Sequence, residues 1–291
     1  DAGGLCRTEA GPRPGVRLTD LSGFAFDLDG CVWTGAVLLP GARALLAALR
    51  RRGKRVVFLT NNSRELPRSV ARKLNRLGVA ASPREVVTAL DLLGDEIARR
   101  FGLTAVLAVG AGEMARALAA CGHRVVPPAR WREARVVAVG NDPTFDYAKL
   151  KAASQAVARG ARFVTVNLDP RLPLEKGEFD PGAGALAEAV AVASGVRPLV
   201  IGKPEPPIFK TALRRLDCSP REAAMVGDSL RSDIRGGRAA GMFTVWVVPP
   251  GAKRQGGIRP HLRVASLTEL HALLEEGVSI RRRRQFPSTR G

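Results

Sequence analysis

The chain has 291 residues, 45% of them apolar and 25% charged, with 46 Lys and Arg against 27 Asp and Glu for a formal net charge of +19. This is the composition of a globular chain with room for one or two domains, and it excludes a disordered, collagenous or coiled-coil protein. No run of roughly eighteen apolar residues offers a membrane span, and the opening DAGGLCRTEAGPRPG lacks the order of a secretory signal, so a cytoplasmic location is expected. Such a basic balance prompts a nucleic-acid reading. Aromatic residues, however, are only 5% and do not interleave with the basic ones, so nucleic acid is not the expected partner. The cysteines Cys6, Cys31, Cys121 and Cys218 stand singly, which indicates neither a disulfide framework nor a zinc site.

In chain order, residues 1–19 read as a loose terminus rich in Gly, Pro and Arg. Gly23 to Leu28 is an apolar run bounded by turn residues and predicts a buried strand. A helix over about 41–52 ends at Gly53, a strand follows over 55–59, and Pro67 opens a helix that Gly78 closes. Strands near 104–109, 135–139, 161–166, 198–201, 223–227 and 243–248 then alternate with helices near 89–100, 112–121, 146–159, 183–194, 206–216 and 231–240. Ser-x-x-Glu boxes at Ser82, Ser219 and Ser266 mark three helix starts. Residues 278–291, with Arg281 to Arg284, read as a basic disordered tail. Alternating strands and helices predict an α/β chain with a Rossmann-like parallel sheet, and ligands at the carboxyl ends of its strands.

Four of those strand ends carry chemistry. Asp27 and Asp29 follow the first strand, Thr60, Asn61 and Asn62 the second, Lys203 the run Leu199 to Ile201, and Asp228 and Asp233 the run ending at Val226. One such residue alone reads as a helix cap or a surface carboxylate. Together, carboxylates, hydroxyl and ammonium suit phosphoryl transfer: converging carboxylates call for a hard cation such as Mg²⁺, while a lysine and a hydroxyl hold phosphoryl oxygens. Two other patterns fail on context. Gly227-Asp-Ser-Leu230 imitates a GDSL esterase but lacks the following D-x-x-H, and Gly110-Ala-Gly-Glu-Met-Ala115 is a lone G-x-G-x-x-A.

Phe-Asp27-Leu-Asp29-Gly30, apolar-Thr60, Lys203-Pro204 and Gly227-Asp228-x4-Asp233 resemble the four ordered motifs of the haloacid-dehalogenase-like (HAD) phosphatases, over about residues 20–250. The resemblance implies Asp27 as nucleophile, Asp29 as general acid and base, and Thr60 and Lys203 on the phosphoryl group. It also implies Mg²⁺ on Asp27, the backbone carbonyl of Asp29 and Asp228, with Asp233 in support. Asn61 and Asn62 are grouped with Thr60 as phosphate or substrate contacts. Asp27 and Thr60 are 33 residues apart, whereas Thr60 and Lys203 are 143 apart. An α/β cap at 92–197, inserted into a core of 20–91 and 198–277, therefore resembles the subfamily IIA group. That group includes 4-nitrophenyl-phosphatase, NagD-like nucleotidases and the pyridoxal, phosphoglycolate and glycerol-3-phosphate phosphatases. Leu172 stands where pyridoxal phosphatases place a His, and the Arg171-Leu-Pro-Leu174 loop is similar to the phosphoglycolate and glycerol-3-phosphate branch. Arg171 is accordingly a candidate for a substrate carboxylate or hydroxyl. The expected partner is a small phosphorylated metabolite, and the resemblance implies a homodimer through the cap. The alternatives are a nucleoside-monophosphate phosphatase, a phosphotransferase, or a basic nucleic-acid-binding protein on an inactive scaffold.

Overall fold

A computed structural model describes residues 15–173, 178–252 and 257–280. Its centre is a six-stranded, all-parallel sheet in the order Leu262–Val264, Phe243–Val247, Ala223–Gly227, Gly23–Asp27, Arg55–Thr60 and Val86–Thr88. The period of two along each strand sends alternate side chains to opposite faces. Phe24, Phe26, Val56, Phe58 and Val226 enter one buried cluster with the helices Ala42–Arg51 and Leu267–Glu276. Ala25, Val57, Leu59 and Met225 enter another with the helices Ala89–Phe101 and Pro206–Leu216. Both faces are covered, which is why these strands read as continuous apolar runs rather than alternating ones.

A second parallel sheet runs Leu199–Val200, Arg162–Thr165, Val136–Val139, Ala105–Val109 and Arg124–Val126. Val106, Val136, Ala138 and Val164 from one of its faces join the same apolar cluster as Val57 and Leu59, with Leu90, Leu93 and Ile97 between the two sheets. Its opposite face packs Leu107, Val109 and Val137 under the helices Tyr147–Ala158 and Ala183–Ser194. The chain is thus an α/β protein with a Rossmann-like core and a second α/β layer. Among the described residues no helix is long and apolar enough to cross a membrane.

Several expectations need correcting. Leu199–Val200 pairs with Val164 and Thr165, so the strand leading to Lys203 is an edge of the five-stranded sheet, not of the six-stranded one. The boxes at Ser82 and Ser219 open only single 3-10 turns, Pro83–Glu85 and Pro220–Glu222, because the residues that follow are drawn into the central sheet. The expected 231–240 helix is a π-turn, Leu230–Ile234, followed by a short α-helix, Arg235–Ala239. Within the expected loose terminus, Val16–Arg17 pairs with Ser279–Ile280 and Leu18 is buried. The rest of that terminus, through 14, and the tail from 281 lie outside the described residues.

Candidate active site

Parallel pairing in the order Ala223–Gly227, Gly23–Asp27, Arg55–Thr60 brings three adjacent carboxyl ends together, and with them Asp228, Asp27 and Thr60. Lys203 arrives from the other sheet: Ile201 and Gly202 donate to the carbonyls of Thr165 and Val166 at 3.0 and 2.7 Å, and the chain then turns over the site. Its ammonium, almost wholly buried, donates to Asp27 Oδ1 and, at 2.7 Å, to Asp233 Oδ1. Asp233 is fully buried and also accepts from the Ser229 amide at 3.0 Å.

Oxygens of Asp27, Asp228 and Asp233 lie within 4.8 Å of one another. Three carboxylates therefore share one ammonium. Burial alone would lower the Lys203 pKa, but Asp233 and Asp27 outweigh it and hold the ammonium above the ordinary lysine range. The surplus negative charge shows on Asp27 and Asp228. Burial, resisted by Lys203 and reinforced by Asp233 and Asp228, pushes Asp27 well above the usual carboxylate range. Burial and then Asp233 lift Asp228 to about 6. A buried anionic cluster of oxygen donors suits a hard divalent cation, which would remove the surplus without protons. Gly30 is shaped to the same end: its φ is +87°, and a Cβ there would collide with Asp228 Oδ2.

Asp29 faces the cavity from the turn after the first strand. Its Oδ1 accepts from the Trp33 indole at 2.8 Å, and its Oδ2 from Thr60 Oγ1 at 3.4 Å. Asn61, Asn62 and Arg171 line the same cavity. The Asn61 side chain spans the Lys203 backbone, accepting from its N–H at 2.8 Å and donating to its carbonyl at 3.2 Å, and it also donates to Asp169 at 3.0 Å. Asn62 builds the turn, its Oδ1 accepting from the amides of Arg64 and Glu65 at 2.7 and 3.0 Å. Both amides are thus occupied with holding the protein. Arg171 is exposed and stacks over Phe179 with 4.1 Å from guanidinium to ring centroid, yet it lines the cavity mouth.

The cavity measures about 250 Å³ and lies between the two sheets. Asp27, Asp29, Thr60, Lys203 and Asp228 form its floor, and Asn141, Asn167, Asp169 and Gly182 approach from the other side. Cross-links join the sides: Asn167 donates to the Asn61 carbonyl at 2.8 Å, and the Asn141 amide to Ser63 Oγ at 2.8 Å. Arg64 adds Asn141 Oδ1 at 3.4 Å and Asp180 at 3.6 Å. Asn141, Asn167 and Asp169 were not among the candidate site residues of the sequence. Polar residues at the ends of the second sheet's strands were the available signal for Asn141 and Asn167.

Known protein families match the sequence that builds this site. A model described as haloacid dehalogenase-like hydrolase covers residues 24–124, and a second HAD-hydrolase-like model covers residues 200–270. The acid sugar phosphatase of Staphylococcus saprophyticus is 36% identical over 224 residues, covering 77% of this chain and 85% of that protein. The glycerol-3-phosphate phosphatase of Homo sapiens is 35% identical over 274 residues, covering 84% and 85%. Among solved structures, a 4-nitrophenylphosphatase from Thermotoga maritima superposes with a TM-score of 0.80 at 27% identity, over 88% of this chain and 98% of that one. NagD from E. coli K-12 superposes with 0.76 at 27%, over 86% and 98%. With its ordered motifs gathered into one cavity and relatives of this identity spanning most of its length, the chain belongs to the haloacid dehalogenase-like hydrolase family.

Proposed function

We propose that the chain is a Mg²⁺-dependent phosphomonoesterase that works through an aspartyl-phosphate on Asp27. The observation that carries this reading is the buried meeting of Asp27, Lys203, Asp228 and Asp233 beneath a cavity that Asp29 and Thr60 also line. Asp27, Asp228 and the Asp29 backbone carbonyl would hold the cation, with Asp233 beside them. When bound, it supplies charge neutralisation for the incoming phosphoryl group and the surrounding carboxylates.

The rest is the work of the chain's own residues. Asp27 attacks phosphorus with one carboxylate oxygen, and the bond from phosphorus to the ester oxygen breaks. Asp29 gives its proton to the departing alkoxide, then takes one from the water that attacks the phosphoryl group, and phosphate leaves with Asp27 restored. Thr60 and Lys203 hold the equatorial oxygens where charge spreads in the transition state. The Asn61 brace keeps the Lys203 backbone in place while they do so.

The size and lining of the cavity support a small polar ester. The polar lining of the cavity, Asn141, Asn167 and Asp169 included, fits sugar or polyol phosphates. The names of the acid sugar phosphatase and the glycerol-3-phosphate phosphatase point the same way. Asp27→Asn is expected to abolish turnover of p-nitrophenyl phosphate with Mg²⁺ while the thermal transition survives; retained turnover rejects the assignment. A phosphate-release panel of sugar, polyol, phosphoglycolate and nucleoside-monophosphate esters then reads the substrate class.

A further inference from the structure

We propose that Trp33 is a positioning residue for the acid step: its indole N–H fixes Asp29 by Oδ1 and so leaves Oδ2 to carry the proton that goes to the leaving group. The inference rests on the phosphatase reading above, with Asp29 as its acid.

A carboxyl group that is to act as an acid must present one particular oxygen to the leaving atom. Asp29 has two neighbours that could orient it. Thr60 Oγ1 stands 3.4 Å from Oδ2, a long hydrogen bond, and it already accepts from the Asn62 amide at 3.1 Å. Its single proton is also the one a bound phosphoryl oxygen would take, and a hydroxyl cannot donate to both. Trp33 differs on each count. Its contact is 2.8 Å, and an indole N–H is a donor only, with no competing acceptor role.

The indole is itself held fast. Only 2% of Trp33 is exposed, and it belongs to the buried cluster that contains Leu28, Val32 and Leu45. Its amide donates to the Leu28 carbonyl at 3.0 Å, and its carbonyl accepts from Gly30 at 2.8 Å, which folds the turn back beside Asp29. Residues Trp33–Thr34 pair with Val37–Leu38 as a small antiparallel hairpin. The Lys73 ammonium, from the helix Pro67–Arg76, sits 4.1 Å from the centre of the indole ring. A cation over that face holds the ring and draws electron density from it, which makes the N–H a stronger donor. Burial, backbone and cation together leave the N–H one direction, toward Oδ1.

The proton balance follows. As the bond between phosphorus and the ester oxygen breaks, its electron pair stays on the departing oxygen, and the proton passes from Asp29 Oδ2 to that oxygen. Asp29 is left as a carboxylate, with Trp33 still on Oδ1 and Oδ2 free to take a proton from the hydrolytic water.

Leaving-group basicity separates this role from a packing role. p-Nitrophenolate departs with little help from an acid, whereas phenolate, of nearly the same shape, needs more. The test is kcat/KM on p-nitrophenyl phosphate and phenyl phosphate with Mg²⁺, for the wild-type protein and Trp33→Phe. The expected result is a loss on phenyl phosphate about tenfold larger than the loss on p-nitrophenyl phosphate, since general acids contribute roughly 10² or more. In an Asp29→Asn background the ratio of the two esters is expected not to move further when Trp33→Phe is added. If Trp33→Phe does not fold, replacing Trp33 by benzothienylalanine keeps the shape, removes the N–H and gives the same test. Equal losses on both esters in a folded variant overturn the inference. A wild-type protein inactive on both esters instead defeats the phosphatase reading on which it rests.

Discussion

Lys203 owes its aim to a residue far away in sequence. Asn61 accepts from the Lys203 amide and donates to its carbonyl, a two-point grip across 142 positions of chain. Removing it leaves buried backbone groups unpaired and frees the segment that carries the ammonium. Asn61→Ala is therefore expected to lower kcat by about 10 to 100-fold, corresponding to about 1 to 3 kcal/mol of lost transition-state positioning. Steady-state kinetics with p-nitrophenyl phosphate and a thermal melt check it; an unchanged kcat in a folded variant would show the grip to be idle. Asp27, Thr60 and Asp228 were legible because polar residues that end apolar strands gather at one edge of a parallel sheet, and Lys203 because it follows an apolar run that ends a strand of the second sheet. The second duties of Asn61 and Trp33 were not, since an amide after a strand and an indole in a turn fit a substrate contact and a packing role equally well. Only the three-dimensional partners, Lys203 and Asp29, decide between them.

Secondary-structure elements show the same division between local and tertiary signals. Three Ser-x-x-Glu boxes carry the same hydrogen-bonding code, yet only Ser266 opens an α-helix, Leu267–Glu276. There Ser266 Oγ accepts from the Glu269 amide at 3.2 Å, Glu269 accepts from the Ala265 amide at 2.6 Å, and Leu267, Leu270 and Leu274 bury one face. After Ser82 and Ser219 the chain reaches Val86 and Ala223, whose backbones complete ladders in the central sheet, and the turn stops after three residues. Ser266→Ala is expected to cost about 1 kcal/mol in urea unfolding with no effect on turnover, the usual cost of a lost helix cap. A loss above roughly twice that would mean the residue holds more than the cap. Long buried strands were legible from their apolar runs. The short edge strands Val86–Thr88, Arg124–Val126 and Leu262–Val264 were not, because three residues carry too little periodicity to register before a neighbouring strand is known.

For the whole molecule the net charge of +19 and the site have opposite signs. A positive net charge favours the approach of anionic esters in general, whereas the floor of the cavity holds three carboxylates and one ammonium. That floor makes the metal-free protein sensitive to pH in a direction opposite to ordinary acid denaturation. Asp228 has a folded-state pKa of about 6 against an ordinary 3.8, and Asp27 is displaced the same way. Between 3.8 and about 6 the folded chain binds more protons at Asp228 than the unfolded one, so the Asp228 contribution weakens the fold as pH rises and is at its full cost above about 6, while Asp27 contributes with the same sign. A divalent cation binds the deprotonated carboxylates and offsets that cost, and it competes with protons below the window. The rise in Tm on adding Mg²⁺ to chelator-treated protein is thus expected to be clearly larger at pH 7.5 than at pH 5. Asp228→Asn removes one of the strained charges. At pH 7.5 it is expected to raise the metal-free Tm, shrink the Mg²⁺ shift and lose most of the activity. Differential scanning fluorimetry across pH, with and without Mg²⁺, measures all three melts. Equal Mg²⁺ shifts at both pH values, or an Asp228→Asn variant less stable than wild type without metal, would place the surplus charge elsewhere than on this cluster.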